Sequence, residues 1–276
     1  MKRLKTLLGD YPVTKALKSG QISSSLVEFD YADVKVPNTA FKRVVRDLEF
    51  DVAEIAIVTY LMARAHGKPL VLLPAVLFGR FQHPYLVSAK AIEPKQLEGR
   101  RVAIRSSSVT TVTWLRGILQ AGYGVDLGKV KWVTFEDAHV AEYRDPPGTE
   151  RAAAGRTPLS MLMAGEVDAA ILAEPPKDGA LKPVIPDPAA AAADWQRRNG
   201  ALQINHMVCV KESLGSEICR EVFRLLQQSK DRGAKDDPAS PFGIEANRRN
   251  LEIAIDYVFR QGLIPRRFTV DELFAG

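Results

Sequence analysis

The chain has 276 residues, a hydrophobic fraction of 46% and a formal net charge of +5. This length suffices for one large domain or two of ordinary size, and the composition is that of a packed soluble protein. The Lys and Arg residues are scattered and are not interleaved with stacking aromatic residues. This pattern argues against a nucleic-acid-binding protein and suits a small anionic ligand.

The cysteines and the hydropathy of the chain narrow the class of protein further. Cys209 and Cys219 form neither a disulfide framework nor a metal-ligand spacing. No apolar run approaches the roughly 18 residues that span a bilayer. The apolar part of the basic N-terminus is interrupted by Asp10 and Pro12, so we expect no secretory signal there. We expect a cytoplasmic protein that binds neither a membrane nor nucleic acid; the residue spacing predicts no metal site, and whether a metal is required stays open. Homo-oligomer formation stays open.

Strands and helices are predicted to alternate from the N-terminus onward, which indicates a parallel or mixed α/β sheet. Apolar runs and period-two alternation predict the strands, and apolar spacings of three and four predict the helices. The strands are expected at residues 5–8, 26–31, 51–58 and 70–77, and the helices at residues 14–18, 41–48 and 60–65.

A second α/β unit is predicted to follow. Its expected strands are residues 101–104, 130–135 and 169–173, with a helix after the first strand and another at 159–163. Segments rich in Pro, Ala and Gly predict loops or surface helices. Those segments are 143–158 and 174–193, and they are followed by a strand at 201–210 and amphipathic helices at 217–228 and 244–260.

A short internal similarity in the sequence favours two lobes of similar architecture. Residues 49–53 (EFDVA) resemble residues 166–170 (EVDAA), and each stretch leads from a helix into an apolar strand. Chance explains so short a match equally well. Two lobes would comprise residues 1–86 with 204–276, and residues 87–203. A ligand would then be expected in a cleft between lobes, beyond the carboxyl ends of the strands.

Residues 97–120 predict an anion-binding site. A short strand is followed by a serine- and threonine-rich run and then by a helix. The start of a helix leaves N–H groups unpaired, hydroxyls add donors, and arginine forks suit carboxylates. The alternative is an ordinary capped helix. The candidate side chains are Arg105, Ser107, Ser108, Thr110 and Arg116.

The N-terminal loop and the third strand supply further candidates. Asp10 and Tyr11 follow the first strand, although an Asp beside a Gly is most often a turn residue. Glu54 lies within an apolar run, where a charge is costly unless it is paired. It therefore faces either the ligand cleft or solvent, and we favour the cleft.

Residues 78–85 (FGRFQHPY) combine rings, a guanidinium and an imidazole. The mixture suits a planar aromatic acid, with Arg80 binding a carboxylate and His83 transferring a proton. The alternative is a hinge loop with a satisfied histidine. His206 lies within a predicted strand, where a core or edge histidine is an equal alternative. His66 and His139 are expected at the surface without a role.

Motifs of nucleotide cofactors and serine hydrolases are missing from the sequence. Other short motifs occur in a fixed order along nearly the whole chain. They are Gly9-Asp10-Tyr11 with Thr14; residues 49–52 with Glu54; Arg80, Phe81 and His83; residues 97–102; Thr110; and residues 114–119, 165–169, 206–208, 243–248, 261–267 and 271–274. In order and spacing they resemble the 4,5-dihydroxyphthalate decarboxylase family, a cytoplasmic offshoot of the type 2 periplasmic-binding-protein fold. The resemblance implies a two-lobed α/β fold with mixed sheets flanked by helices.

The sequence departs from the family pattern at positions expected to line the cleft. The loop before Thr110 is RSSSV, where the family has an acidic residue and a Tyr-Gln pair. Gln82 and Pro84 flank the motif histidine in place of Arg and Ser, and Ala53 replaces a Ser. The fold therefore carries over more securely than the substrate.

The family implies loss of CO2 from a hydroxylated aromatic dicarboxylate without a cofactor. A ring hydroxyl para to the departing carboxylate supplies the electrons, so the protein must hold the dianion and move protons. In this scheme His83 is the first choice for proton transfer, and His206 or Glu54 polarises the phenolic hydroxyl. One carboxylate binds at residues 107–111 with Arg105 or Arg116, and Arg80 is a second clamp.

Two other functions remain open from the sequence. A solute-binding protein of the same fold would use the same helix start and arginines to capture a small organic anion without chemistry. An enzyme of the same fold acting on a different aromatic acid, like the menaquinone-pathway enzymes, is the other alternative.

Overall fold

The structure is a computed structural model, and it describes residues 1–175 and 179–275. Part of the predicted loop 174–193 therefore lies outside the described residues. The strands are β1 (Lys2–Leu7), β2 (Val27–Tyr31), β3 (Val52–Ala56), β4 (Leu70–Gly79), β5 (Leu86–Ser88), β6 (Arg101–Ile104), β7 (Lys131–Thr134), β8 (Glu150–Arg151), β9 (Ala169–Ile171), β10 (Lys182–Pro183) and β11 (Ile204–Lys211). The α-helices are α1 (Pro12–Lys18), α2 (Phe41–Arg46), α3 (Ile57–Ala65), α4 (Thr110–Tyr123), α5 (Pro158–Met163), α6 (Pro188–Asn199), α7 (Gly215–Gly233) and α8 (Ile244–Arg260).

The described chain divides into two compact units. The first comprises Met1–Arg80 and Ile204–Gly276, and the second comprises Phe81–Gln203. Each unit has its own sheet and its own buried apolar core. The prediction of mixed sheets flanked by helices is confirmed.

The sheet of the first unit has the strand order β2-β1-β3-β11-β4. Strand β1 is parallel to β2 and β3, whereas β11 is antiparallel to both β3 and β4. All five residues of β3 are buried, as expected for a strand with neighbours on both edges and helices nearby. Helices α1 and α7 pack against one side, where Leu225 and Leu226 are buried with Leu17.

The pairing of β11 with β4 is irregular near its start. The register shifts between Ile204 and His206, again between His206 and Met207, and again before Val208. Such bulges change the direction in which a side chain points and are frequent next to functional sites. The pairing of β11 with β3 stays regular through the same residues, so the position of His206 relative to β3 is well defined.

The sheet of the second unit has the strand order β10-β5-β9-β6-β7-β8. Strands β7 and β9 flank β6 in parallel, and β5 lies antiparallel to β9. The core includes Ala103, Val133 and Ala170 on the central strands and Leu162 on α5. Helix α4 leaves the carboxyl end of β6, which is the connection that residues 97–120 predict.

Three local predictions are wrong. The run 51–58 is a strand only to Ala56, and helix α3 begins at Ile57, because a continuous apolar run gives no period by which strand and helix can be told apart. The predicted loop 143–158 contains β8, which pairs with the edge of β7. His139 is buried, not exposed, and its backbone N–H donates to the Ser108 hydroxyl.

Within the described ranges, no helix has both the length and the apolar character that crossing a membrane requires.

Candidate functional site

Glu54 is the centre of a polar cluster in the first unit. It lies on the central strand β3 and is fully buried. Its Oε2 accepts a hydrogen bond from the backbone N–H of Gly9 at 2.8 Å, and its Oε1 accepts one from the Tyr11 phenol at 2.6 Å. A buried carboxylate is tolerated when such donors replace water. The alternative that Glu54 faces solvent is therefore wrong.

The Tyr11 phenol is a donor to this carboxylate. Burial raises the pKa of the Tyr11 hydroxyl, and the adjacent Glu54 charge raises it further. The phenol thus stays protonated at neutral pH and donates to Glu54 Oε1. The Tyr11 ring is stacked on Phe78 of β4, with the ring centroids 6.3 Å apart.

His206 completes the cluster from β11. Its Nδ1 lies 2.6 Å from Glu54 Oε1. The register explains the contact, because Val208 pairs with Glu54 and His206 is the diagonal neighbour on the same face. The edge of Phe41 packs on the imidazole at 5.2 Å, and the side chain of His206 retains 16% exposure. With Nδ1 bound to a carboxylate, the ring is oriented and Nε2 is the nitrogen not committed to Glu54.

The loop after β1 is shaped to approach Glu54 closely. The Thr14 hydroxyl donates to the Gly9 carbonyl at 2.7 Å and accepts the Tyr11 N–H at 3.0 Å. A Cβ at Gly9 would lie 2.6 Å from the Tyr11 ring and 2.8 Å from Glu54 Oε2, so only glycine fits. Asp10 is not brought into the cluster, since its side chain is 87% exposed and pairs with Lys18.

Arg80 ends the first segment of the first unit. Its guanidinium carbon lies 5.5 Å from the centroid of the Phe78 ring, the same ring that contacts Tyr11 and His206. The structure therefore places Arg80 beside the cluster through a shared aromatic neighbour. Its role as a carboxylate clamp stays a prediction.

The start of α4 in the second unit is not capped by a hydroxyl. The residue before the helix is Val109, which makes no side-chain cap, although Ser106 and Ser108 lie next to it and hydrogen-bond each other at 3.3 Å. The residue at the N-cap position therefore supplies no side-chain cap, and the ordinary helix start remains the alternative to an anion site. Ser107 is buried, and Thr110 is the first helical residue. Anion binding at this start stays a prediction.

The two predicted arginines of the second unit have different surroundings. Arg105 lies 3.9 Å from the carboxylate of Glu136. Arg116 is buried on α4 with its guanidinium 4.0 Å from the Trp132 ring centroid, and burial lowers its pKa to about 10. Asp145 lies near enough to oppose this shift without forming an ion pair within 4 Å in the described structure. Arg116 thus remains a cation at neutral pH.

His83 lies in surroundings that differ from those of His206. It begins a short 3-10 turn, His83–Tyr85, in the second unit and is buried. Burial, with a smaller contribution from the positive charge of Arg198, lowers the pKa of the imidazole to about 4. His83 is therefore neutral near pH 7 and is better suited to hydrogen bonding than to delivering a proton.

This shift predicts a pH dependence of stability. Between pH 6.5 and about 4 the unfolded chain binds a proton at His83 that the folded chain does not, so stability decreases as the pH falls through this window. We expect the melting temperature of the wild type to fall more steeply over this range than that of His83→Gln. Thermal melts read by circular dichroism measure this, with exposed His66→Gln as the control. Parallel curves for wild type and His83→Gln would contradict the buried neutral state.

Sequence reasoning missed one of the aromatic residues that contact the cluster. Phe41 contacts His206, but nothing in the sequence distinguishes it from a core residue, whereas Phe78 belongs to the predicted aromatic segment 78–85. Gly9 and Tyr11 did offer a sequence signal for the cluster, because a glycine two residues before a tyrosine lets the loop backbone approach a neighbouring side chain closely. The described residues include no group of three or more His, Cys, Asp or Glu side chains placed to hold a metal ion.

The cluster is chemically a base with its orienting group. A histidine held by a buried carboxylate is the usual arrangement for moving a proton between a ligand and the protein. The phenol of Tyr11 and the N–H of Gly9 fix the direction of the carboxylate.

Two known proteins are similar to the chain in sequence over most of its length. The chain is 26% identical over 231 residues to a 4,5-dihydroxyphthalate decarboxylase of Comamonas testosteroni, a match that covers 78% of this chain and 70% of that protein. It is 26% identical over 210 residues to a 4,5-dihydroxyphthalate decarboxylase of Pseudomonas putida, covering 70% and 81%. No family model matches the chain.

A solved structure supports the fold. The periplasmic aliphatic sulphonate binding protein of Escherichia coli superposes with a TM-score of 0.62 at 13% identity, covering 99% of this chain and 97% of that one. At this identity the likeness concerns the fold alone. The resemblance expected from the sequence motifs is confirmed: the chain is similar to 4,5-dihydroxyphthalate decarboxylases over most of its length and has a two-lobed, type 2 periplasmic-binding-protein-like fold.

Proposed function

We propose that this protein is a decarboxylase of a hydroxylated aromatic dicarboxylate such as 4,5-dihydroxyphthalate, and that it needs no cofactor. The observation that carries the proposal is the buried Glu54 carboxylate, which accepts hydrogen bonds from Gly9 and Tyr11 and contacts His206 Nδ1 at 2.6 Å. The similarity to two 4,5-dihydroxyphthalate decarboxylases supports the substrate class.

The proposed reaction depends on a hydroxyl para to the departing carboxylate. Removal of the phenolic proton sends electron density to the ring carbon that bears the carboxylate. A proton adds to that carbon, the carbon–carboxylate bond breaks, and its electron pair returns to the ring as CO2 leaves. The ring itself stores the electrons, so no separate electron sink is required.

We assign the phenolic proton to His206. Donation from Nδ1–H to Glu54 leaves Nε2 as an acceptor, and the negative charge of Glu54 stabilises the imidazolium that forms. His83, the first choice from the sequence, has its pKa lowered to about 4 and is neutral near pH 7. We therefore propose that His83 contacts the substrate and that His206 is the proton-transfer group.

The substrate carboxylates require cationic or N–H partners. We propose Arg80 in the first unit and the start of α4 in the second unit, where the N–H groups of the first helical turn point out of the helix. Ser107, Ser108, Thr110, Arg105 and Arg116 stay candidates for the same role. We further propose that the enzyme works in the cytoplasm, where its free cysteines stay reduced.

A single incubation tests the proposal. The purified chain is mixed with 4,5-dihydroxyphthalate, phthalate and hydroxybenzoates, and CO2 and the aromatic products are quantified. We expect CO2 and 3,4-dihydroxybenzoate from 4,5-dihydroxyphthalate and no turnover of phthalate, which lacks the para hydroxyl. His206→Asn is expected to lose at least about 100-fold in kcat, a typical contribution of one acid–base group. His66→Asn, an exposed histidine, serves as the matched control.

The fold itself favours a second candidate, a solute-binding protein for a small organic anion. The Escherichia coli sulphonate binding protein has this fold. Tight binding of an aromatic acid without CO2 release would favour the receptor. Absence of both binding and turnover would favour an enzyme with a different substrate.

A further inference from the structure

Among the buried polar atoms of the second unit that have no hydrogen-bond partner in the described structure, three belong to residues of neighbouring elements. They are His83 Nδ1, Trp195 Nε1 and Gln203 Nε2. Each of the three residues is at most 4% exposed. Buried polar atoms in folded proteins are nearly always hydrogen-bonded, so several orphans in one region indicate a group that binds there.

The three residues lie in neighbouring elements. Helix α6, which carries Trp195, packs against the short turn that begins at His83. Gln203 Oε1 accepts the backbone N–H of Gln82 at 2.6 Å, which ties it to the residue preceding that turn. The ring of Phe81 packs edge-on against Trp195, with centroids 6.2 Å apart.

Two of the three atoms can only donate, and His83 Nδ1 donates in the tautomer that carries the proton on this nitrogen. The Trp195 indole nitrogen can only donate. The Gln203 amide is oriented by its bond to Gln82, because its oxygen must face that N–H, and this leaves Nε2 as a donor. His83 supplies a neutral imidazole. The positive charge of Arg198 also acts on this imidazole. Such a set fits an acceptor-only group, and a carboxylate is the common acceptor-only group of organic ligands.

The neighbours of Trp195 are aromatic. Its ring contacts Phe81, and it also contacts Trp114 at 5.9 Å in a nearly perpendicular arrangement. Aromatic faces and edges favour a flat ring as the neighbour of the carboxylate. The ligand class is therefore an aromatic carboxylate, and an aliphatic anion fits less well.

We propose that Trp195 Nε1, Gln203 Nε2 and His83 form a specificity-determining subsite for one carboxylate of an aromatic acid. This inference rests on the proposed function, which it deepens by naming residues that recognise the substrate. It adds Trp195 and Gln203 to the site, and it gives His83 a binding role consistent with its neutral state.

Calorimetric titration with phthalate tests the subsite separately from catalysis, because phthalate carries the carboxylates and lacks the hydroxyl that turnover requires. Trp195→Phe keeps the ring and removes the donor, and we expect phthalate affinity to fall about 10-fold, the effect of one hydrogen bond to a charged group. Gln203→Glu keeps an oxygen that accepts the Gln82 N–H but replaces the amide donor by a carboxylate oxygen, which repels the carboxylate of the ligand. We therefore expect the affinity for phthalate to fall at least about 100-fold. Gln228→Glu, at an exposed position, is the matched control.

A measurement on the wild type avoids dependence on variants that fold poorly. In a nitrogen-15 spectrum of the wild type, in which the three indole signals are assigned through their own sequential connectivities, the Trp195 N–H should shift downfield when phthalate is added. Catechol, which has hydroxyls and no carboxylate, should leave that signal unshifted.

The outcomes separate this inference from the proposed function. Phthalate binding with the expected shift, and without turnover of any hydroxylated phthalate, would support the subsite and contradict the decarboxylase. Turnover of 4,5-dihydroxyphthalate with unchanged affinity in both variants would overturn the subsite alone. An indole signal that phthalate does not move would overturn it as well.

Discussion

Replacing Glu54 by glutamine is expected to lower kcat for 4,5-dihydroxyphthalate about 1,000-fold and to leave KM nearly unchanged. Glutamine has the shape of glutamate, and its oxygen can still accept the Gly9 N–H. Its amide nitrogen, however, would donate to His206 Nδ1 and so move the ring proton to Nε2. The nitrogen that has to accept the phenolic proton would then already carry one, and the charge that stabilises the imidazolium would be gone.

Steady-state kinetics and thermal melts on the same preparations check this expectation. The melting temperature is measured because Glu54 is buried and a loss of fold would mimic a loss of catalysis. Glu28→Gln, the same substitution at an exposed position on β2, is the control. Glu54→Gln with wild-type kcat would remove both Glu54 and its orientation of His206 from the mechanism.

Replacing Gly9 by alanine is expected to destabilise the first unit by about 1–3 kcal/mol, the usual cost of overpacking a tightly packed position, and to lower kcat about 100-fold. The added Cβ would lie 2.6 Å from the Tyr11 ring and 2.8 Å from Glu54 Oε2. Either the loop withdraws and the Gly9 N–H to Glu54 bond is lost, or the carboxylate moves and its contact with His206 changes.

Urea unfolding and kinetics measure the two effects. Gly122→Ala is a matched control, because Gly122 lies within α4 and a Cβ there meets nothing within 4 Å among the described atoms. It should be neutral or stabilising by up to about 1 kcal/mol, since alanine is the better helix former. A Gly9→Ala protein as stable and active as the wild type would show that the close approach is not needed.

Local patterns in the sequence were sufficient for elements bounded by clear signals. Strand Arg101–Ile104 and helix Ile244–Arg260 have the predicted bounds, because turn residues flank the strand and a 3.6-residue apolar period runs the length of the helix. The short strands β8 and β10 were not predicted. They consist of two residues each and exist through pairing with an edge strand, which no local pattern encodes.

The candidate site, like the fold, was predictable from local sequence only in part. The buried-charge rule singled out Glu54 from its apolar neighbours, and the rule holds because a carboxylate in a buried strand must find donors. The choice between His83 and His206 could not be made locally. His206 lies 152 positions from Glu54 in the chain, and Tyr11 lies 43 positions away.

The sequence by itself determined the α/β class, the alternation of elements and the presence of an unusual buried carboxylate, because these follow from hydrophobic periodicity and from the cost of burying charge. Only the tertiary structure decided which histidine that carboxylate orients. The antiparallel register of β11 on β3 sets His206 diagonally opposite Glu54, whereas the turn at His83 has no carboxylate partner among the described residues and keeps a neutral imidazole. Register depends on contacts between distant segments, so it becomes defined only when the sheet is assembled.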